Sequence, residues 1–229
     1  MKLYYSPGAC SLASHIALEE WGGDYDTVKV DLSKHQTEEG TDFYSISPRG
    51  YVPAISSDEF DLLTENPAVL TYVAEKTDAL PTGKDRFKLL EWIGFIGTEI
   101  HGGYHPLFGQ DTDDRQAKAK DQLAETYRLT EKLMDGKDWL VGDGPTVADN
   151  YLFVTLLWAD KFDVDLPQSL VDYRERNKQR DAVGKAMSAE GLLGGYRRCA
   201  ADYNRRATLQ PRCPVKQGEG LPRTTGADA

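Results

Sequence analysis

The hydrophobic pattern of this chain changes period once, at Leu80-Pro81-Thr82-Gly83, and that change restricts the folds open to it. Before it, strand and helix signals alternate. Lys2-Leu3-Tyr4-Tyr5 is apolar and aromatic, as strands prefer, and Ser6-Pro7-Gly8-Ala9 is a turn signal. From Ser11 onward, Leu12, Ile16 and Glu20 keep a helical repeat that Gly22-Gly23 stops. Val28, Val30 and Leu32 alternate as a half-buried strand does. Val-Pro-Ala-Ile (52–55) and Phe-Asp-Leu-Leu (60–63) flank Ser-Ser-Asp-Glu and predict a hairpin. Asn66 then reads as an N-cap and Pro67 as a first helical residue, whose fixed φ and missing amide suit that position. Val69, Tyr72, Val73 and Lys76 continue the helix.

After the break, strand signals nearly vanish. Leu89, Ile93, Ile96 and Ile100 recur at helical spacing, as do Val147, Tyr151, Val154 and Trp158. Thr146-Val-Ala-Asp149 is a capping box, in which hydroxyl and carboxylate each satisfy a free backbone amide. Further helices are predicted around 113–134 and 170–190. The expected fold is therefore a small α/β domain (1–80), a linker near 79–84 and an all-α domain (85–192), with no internal repeat.

Charge narrows the function classes. The net charge of −10 argues against nucleic acid as the main partner. No apolar run approaches the roughly 20 residues of a membrane span, and Met1–Gly8 lacks the apolar segment of a signal peptide. Three cysteines, at 10, 199 and 213, are too few and scattered for a disulfide framework, so a reducing, cytoplasmic compartment is expected. Residues 193–229 carry seven basic and three acidic side chains in a Pro- and Gly-containing stretch, read as a loosely held tail.

Four places can carry chemistry. Cys10 stands where a turn becomes a helix. Amides and dipole at a helix N-terminus favour an anion, so a thiol there is expected to titrate below its ordinary value; the alternative is a buried, inert cysteine. No cysteine follows at Ala13, which argues against a self-contained dithiol cycle. Ser11 reads as a donor to a nearby thiolate or as a helix cap. Pro53, inside an apolar strand, belongs at an edge or an unusual bend; a cis Val52–Pro53 bond would expose the Val52 backbone for pairing with an extended peptide. Glu65-Asn66, at a helix start, offers acceptors and donors for an amino-acid head group. His101 and His105 lie four apart, without the acidic or histidine neighbours a metal needs, so no metal site is expected; His101 faces an interdomain cleft or is a surface histidine.

Taken together, YYSPGACSLASHIAL, SPRGYVPAI, LLTENPAVLTYVAE, WIGFIGTEIHGGYHPLF, TVADNYLF and MSAEGL, in this order, make residues 1–192 resemble the glutathione transferase family, most closely its bacterial beta class. The resemblance implies a thioredoxin-like first domain, a helical-bundle second domain and a homodimer with glutathione bound between the two domains. It implies that Cys10, Ser11 and His101 act at the glutathione sulfur, that Val52 and cis-Pro53 pair with its cysteinyl part, and that Glu65 and Asn66 hold its γ-glutamyl end. Small hydrophobic electrophiles would be conjugated in a hollow expected at Tyr104, Leu107 and Phe108, with thiol–disulfide exchange through Cys10 as a rival use. Aromatic ether cleavage, dehalogenation, and non-catalytic ligand-binding or RNA-polymerase-associated relatives are the alternatives. His35 stands where the family often has a lysine near the glycyl carboxylate, and Gly94 where an asparagine often reaches the ligand.

Overall fold

A computed structural model describes residues 1–109 and 111–193. The tail reading, together with Cys199 and Cys213, lies outside the described residues apart from Leu193. Residues 1–193 form one compact unit.

The first part is a five-stranded mixed sheet with helices. Its strands are β1 (Lys2–Tyr5), β2 (Asp26–Asp31), β3 (Gln36–Thr37), β4 (Ala54–Ser56) and β5 (Leu63–Thr64). Their order is β3-β2-β1-β4-β5, with β1 and β2 parallel and every other pair antiparallel. The parallel pair needs a crossover, and α1 (Ser11–Trp21) supplies it, ended by Gly22 in the left-handed conformation that a residue without Cβ adopts freely. The β4–β5 pair is the expected hairpin. Alternation along β1 sends Leu3 and Tyr5 into buried positions, while Tyr4 packs on a cluster of Val30, Phe43, Val52 and Ala54 on the other side.

Helix α2 (Asn66–Lys76) begins one residue earlier than the sequence reading. Glu65, not Asn66, is the capping residue, with φ 69° and ψ 118°, so Asn66 already lies in the helix. The physical reason is that the Asn66 side chain turns away from its own backbone and accepts a hydrogen bond from the Ser14 hydroxyl at 3.1 Å.

The helical part comprises α3 (Gly83–Phe95), α4 (His105–Phe108), α5 (Asp113–Met134), α6 (Val147–Phe162), α7 (Gln168–Lys178) and α8 (Asp181–Ala189). The single helix expected around 170–190 is two, broken at Gln179–Arg180, where Arg180 is turned outward to an extended φ,ψ and becomes the cap of α8. Between α3 and α4 the chain stays coiled but changes pitch, as a π turn over Ile96–His101 and a 3₁₀ turn over Gly102–Tyr104. A Cβ on Gly103 would lie 2.8 Å from Leu123 of α5, so glycine is what lets this turn lie against that helix.

Helix α6 is the axis of the molecule: every residue from Val147 to Ala159 is buried, the mark of a helix enclosed on all sides. It packs on α1, which itself touches α2 and α8, so sheet and bundle share one core. The capping box is present at its start. Asp149, fully buried, accepts four hydrogen bonds: Thr146 N–H and hydroxyl at 2.7 Å each, Leu140 N–H at 3.0 Å and the Tyr173 hydroxyl at 2.7 Å. Removing it strands several buried donors at once. Asp149→Ala is expected to cost about 3 kcal/mol, measured by urea denaturation of the full chain; a loss under about 0.5 kcal/mol would show that the box is dispensable.

Candidate functional site

Cys10 ends the β1–α1 turn and caps α1. Its thiol donates to the Val52 carbonyl at 3.2 Å, across to the loop whose Val52–Pro53 peptide is cis. Burial pushes the thiol up to about 12, against the lowering effect of the Cys10 and Ser11 backbone amides and with a smaller raising effect from Glu65. The expectation of an acidic thiol is therefore corrected. The helix N-terminus acts in the expected direction, but removing the thiolate from water costs more than two amides return. Ser11 is fully buried, and its hydroxyl donates to the Ser6 carbonyl at 3.3 Å while accepting from the Ser6 N–H at 3.2 Å. It thus closes the turn on itself.

Gly8, two residues before Cys10, is gripped from the helical part at both its amide and its carbonyl. Gly8 N–H donates to the Glu190 carboxylate at 2.9 Å, and the Trp158 indole donates to the Gly8 carbonyl at 2.9 Å. Glu190 also pairs with His15 of α1 at 2.9 Å, with both side chains almost wholly buried. Farther along α1, Glu20 is held by Asn150 at 2.9 Å and ion-paired with Arg180.

His101 ends the π turn. Its Nδ1 lies 2.6 Å from the Tyr151 hydroxyl of α6, and its ring packs 4.9 Å from Trp158 edge to face. Burial and the neighbouring His105 depress its pKa to about 4, Glu65 opposing them weakly. His101 is thus neutral at physiological pH. Tyr151 is buried and its pKa is raised, chiefly by desolvation and then by the proximity of Cys10, against a lowering effect of the Asn66 side chain and with a weaker raising effect from Glu65. Cys10, Glu65, His101 and Tyr151 therefore share one electrostatic neighbourhood. Tyr151 was read from the sequence only as a core position.

Asn66 Nδ2 and His35 Nδ1 are also buried without partners among the described residues. His35 sits at φ 50° and stacks on Tyr44 at 4.5 Å. Glu65, in its strained backbone conformation, is ion-paired with Arg49, a partner that nothing in the sequence marked. Gly94 is exposed on α3 with open space around it. The expected electrophile hollow is only partly borne by the residues named for it. Tyr104 is fully buried, its hydroxyl bonded to Tyr127 at 2.9 Å and to the Thr155 carbonyl at 3.1 Å, and Leu107 is buried too. Phe108 stays exposed and meets Trp158 and Phe162, each at 5.0 Å, with Lys161 over its ring.

Residues 1–75 match the family profile "Glutathione S-transferase, N-terminal domain", and residues 95–181 match "Glutathione S-transferase, C-terminal domain". The chain belongs to the glutathione S-transferase family. Glutathione S-transferase GstA of Escherichia coli O157:H7 is 38% identical over 200 residues, covering 84% of this chain and 100% of that protein. A sphingomonad glutathione S-transferase solved with glutathione is 42% identical at a TM-score of 0.80, covering 84% of this chain and all of its own. A bacterial beta-class glutathione S-transferase from Sphingomonas chungbukensis is 40% identical at a TM-score of 0.78, with the same coverage. The mixed sheet followed by a helical bundle is thus the thioredoxin-like and helical arrangement of glutathione S-transferases.

In this family member the depressed His101 pKa makes a stability prediction. Between the ordinary value of 6.5 and about 4 the unfolded chain binds more protons at His101 than the folded chain. Stability therefore falls as pH falls through that window. His101→Gln removes this loss: its fall in stability from neutral pH to about pH 4.5 should be smaller than wild type by roughly 2 kcal/mol. Parallel pH profiles of unfolding free energy would contradict a neutral, desolvated His101.

Proposed function

We propose that this protein is a glutathione transferase that joins the glutathione thiol to small hydrophobic electrophiles. One observation carries the reading: the Cys10 thiol, at the mouth of α1, donates to the Val52 carbonyl at 3.2 Å, and desolvation pushes its pKa up to about 12. An ionised Cys10 would repel a second thiolate. A protonated one is a hydrogen-bond donor, and it can turn from the Val52 carbonyl to a glutathione thiolate. The same protonation makes Cys10 a slow partner in thiol–disulfide exchange, since the thiolate is the attacking species. Conjugation is therefore favoured over exchange.

The surrounding residues suit the rest of a tripeptide. Val52 offers backbone at the loop ended by Pro53. Asn66 Nδ2 and His35 Nδ1, buried and unpartnered among the described residues, would each gain a partner by meeting a carboxylate at one of its two ends. Glu65 suits the α-ammonium, and the strain it carries is of the kind found at ligand clamps. Ser11 serves by holding the turn, and reaches the sulfur only by releasing Ser6. The electrophile belongs against Phe108 and Phe162, whose neighbour Trp158 also walls His101.

Homodimer formation is part of the proposal, supported by exposed Phe87 and Leu90 on α3 and by exposed Leu129 and Leu133 on α5. Detoxification in the cytoplasm is the setting proposed; among the described residues no helix is long and apolar enough to cross a membrane.

The test is retention on immobilised glutathione, then turnover with a chlorodinitrobenzene and with a mixed disulfide of glutathione. Wild type should be retained and conjugate. Cys10→Ala should keep conjugation within about tenfold while losing exchange. Failure of wild type to be retained would defeat the glutathione reading, and loss of both activities in Cys10→Ala would give Cys10 a covalent role.

A further inference from the structure

Tyr151 Oη and His101 Nδ1, 2.6 Å apart, share one proton, and its owner decides which way the imidazole can donate. Tyr151 is buried and its acidity suppressed, so it keeps its proton. His101 is neutral, so it carries a single N–H. Two arrangements satisfy these facts. In one, the phenol donates to a bare Nδ1 and the ring proton sits on Nε2. In the other, Nδ1–H donates to the phenol oxygen, and the phenol proton must find another acceptor.

The surroundings decide between them. Among the described residues, Tyr151 Oη has no hydrogen-bond partner besides His101. A buried phenol whose proton found no acceptor would leave a donor stranded, so the phenol proton belongs on the His101 side. Asn66 Oδ1 accepts from the Ser14 hydroxyl at 3.1 Å, and its Nδ2, among the described residues, is buried without a partner. The other charged or titratable groups that act on His101 are His105 and Glu65, and neither competes for Nδ1.

We propose that Tyr151 is a positioning residue: its hydroxyl donates to Nδ1 of His101, fixes the imidazole as the Nε2–H tautomer and directs that N–H to the substrate sulfur beside Cys10. The inference rests on the glutathione reading only for the identity of that sulfur. Trp158, packed edge to face with the imidazole at 4.9 Å, restrains its plane.

Two measurements on the full chain test it. The first is nitrogen-15 NMR of the His101 imidazole, which distinguishes the tautomers without any ligand. Wild type should show Nε2–H with Nδ1 accepting, and Tyr151→Phe should shift the ring toward a mixture. An Nδ1–H tautomer in wild type would overturn the proposal, and this needs no variant to fold. The second is the pKa of bound glutathione, read from thiolate ultraviolet absorbance, in Tyr151→Phe, His101→Ala and the double variant. Tyr151→Phe should raise it by about one unit and lower kcat roughly tenfold, with KM for glutathione changed less than about twofold. In the His101→Ala background Tyr151→Phe should add nothing, because Tyr151 acts through His101. Additive effects would overturn the proposal. Glutathione binding is measured alongside: its absence in wild type would sink the functional reading, while the tautomer result still decides the role of Tyr151.

Discussion

The reactive corner of this transferase fold depends on one residue, Gly8. The helical part holds Gly8 by its N–H through Glu190 and by its carbonyl through Trp158. Both contacts are made by groups with little freedom. Glu190 is pinned by His15, and the indole is packed against His101, Tyr104 and Phe108. A carboxylate accepting from a backbone amide in a dry setting is stronger than a neutral pair, and leaving either partner alone there would be costly. The turn that carries Cys10 is thus registered against the bundle that carries His101 and Tyr151. Its geometry comes from contacts some 150 to 182 residues apart in sequence, and not from the turn alone.

Cys10 shows how two physical effects with opposite signs are ranked. Partial charges at a helix N-terminus are worth of order 1 kcal/mol and fall off within a turn. Desolvation of a buried thiolate is larger. Position alone suggests an acidic thiol, while burial reverses the sign, with the Val52 carbonyl against the thiol and a smaller charge effect from Glu65, both far along the chain. A cysteine at a helix start is therefore a hydrogen-bond donor or an anion depending on what covers it.

The sequence was legible wherever a local rule decided the structure. The change of period near Leu80, the Gly22 stop, the capping box at Thr146 and the hairpin around Ser57 were readable because spacing and backbone preference suffice for them. Cys10 meets Val52 beside the cis Pro53, and His101 meets Tyr151, contacts between residues far apart in the chain. What escaped was non-local. Tyr151 looked like one apolar mark in a helical repeat, since its hydroxyl has meaning only beside His101. Arg49 gave no sign of Glu65, and Glu190 none of Gly8, because side chains that meet across the fold leave no periodic trace. Asn66 was placed one residue out because Ser14, on another helix, had already claimed its carbonyl. Tyr104 was assigned to a hollow, whereas Tyr127 and Thr155 draw it into the core.

The π turn from Ile96 to His101 has a consequence for how this site tolerates change. Such a turn holds one residue more than the α-helix it interrupts. Upstream, Ile96 faces the core; downstream, His101 faces Tyr151. The wide turn takes up that extra residue without throwing the two out of phase. A residue removed from an ordinary helix turns everything after it by about 100°, whereas one removed from this stretch ahead of His101 lets the wide turn close to an ordinary one and absorbs most of that rotation. The helix before Ile96 has no such slack, and a deletion there would carry His101 away from Tyr151 even though no residue of the site had been altered. The wide turn is the place where this helix can change length by one residue and still present His101 to its partner.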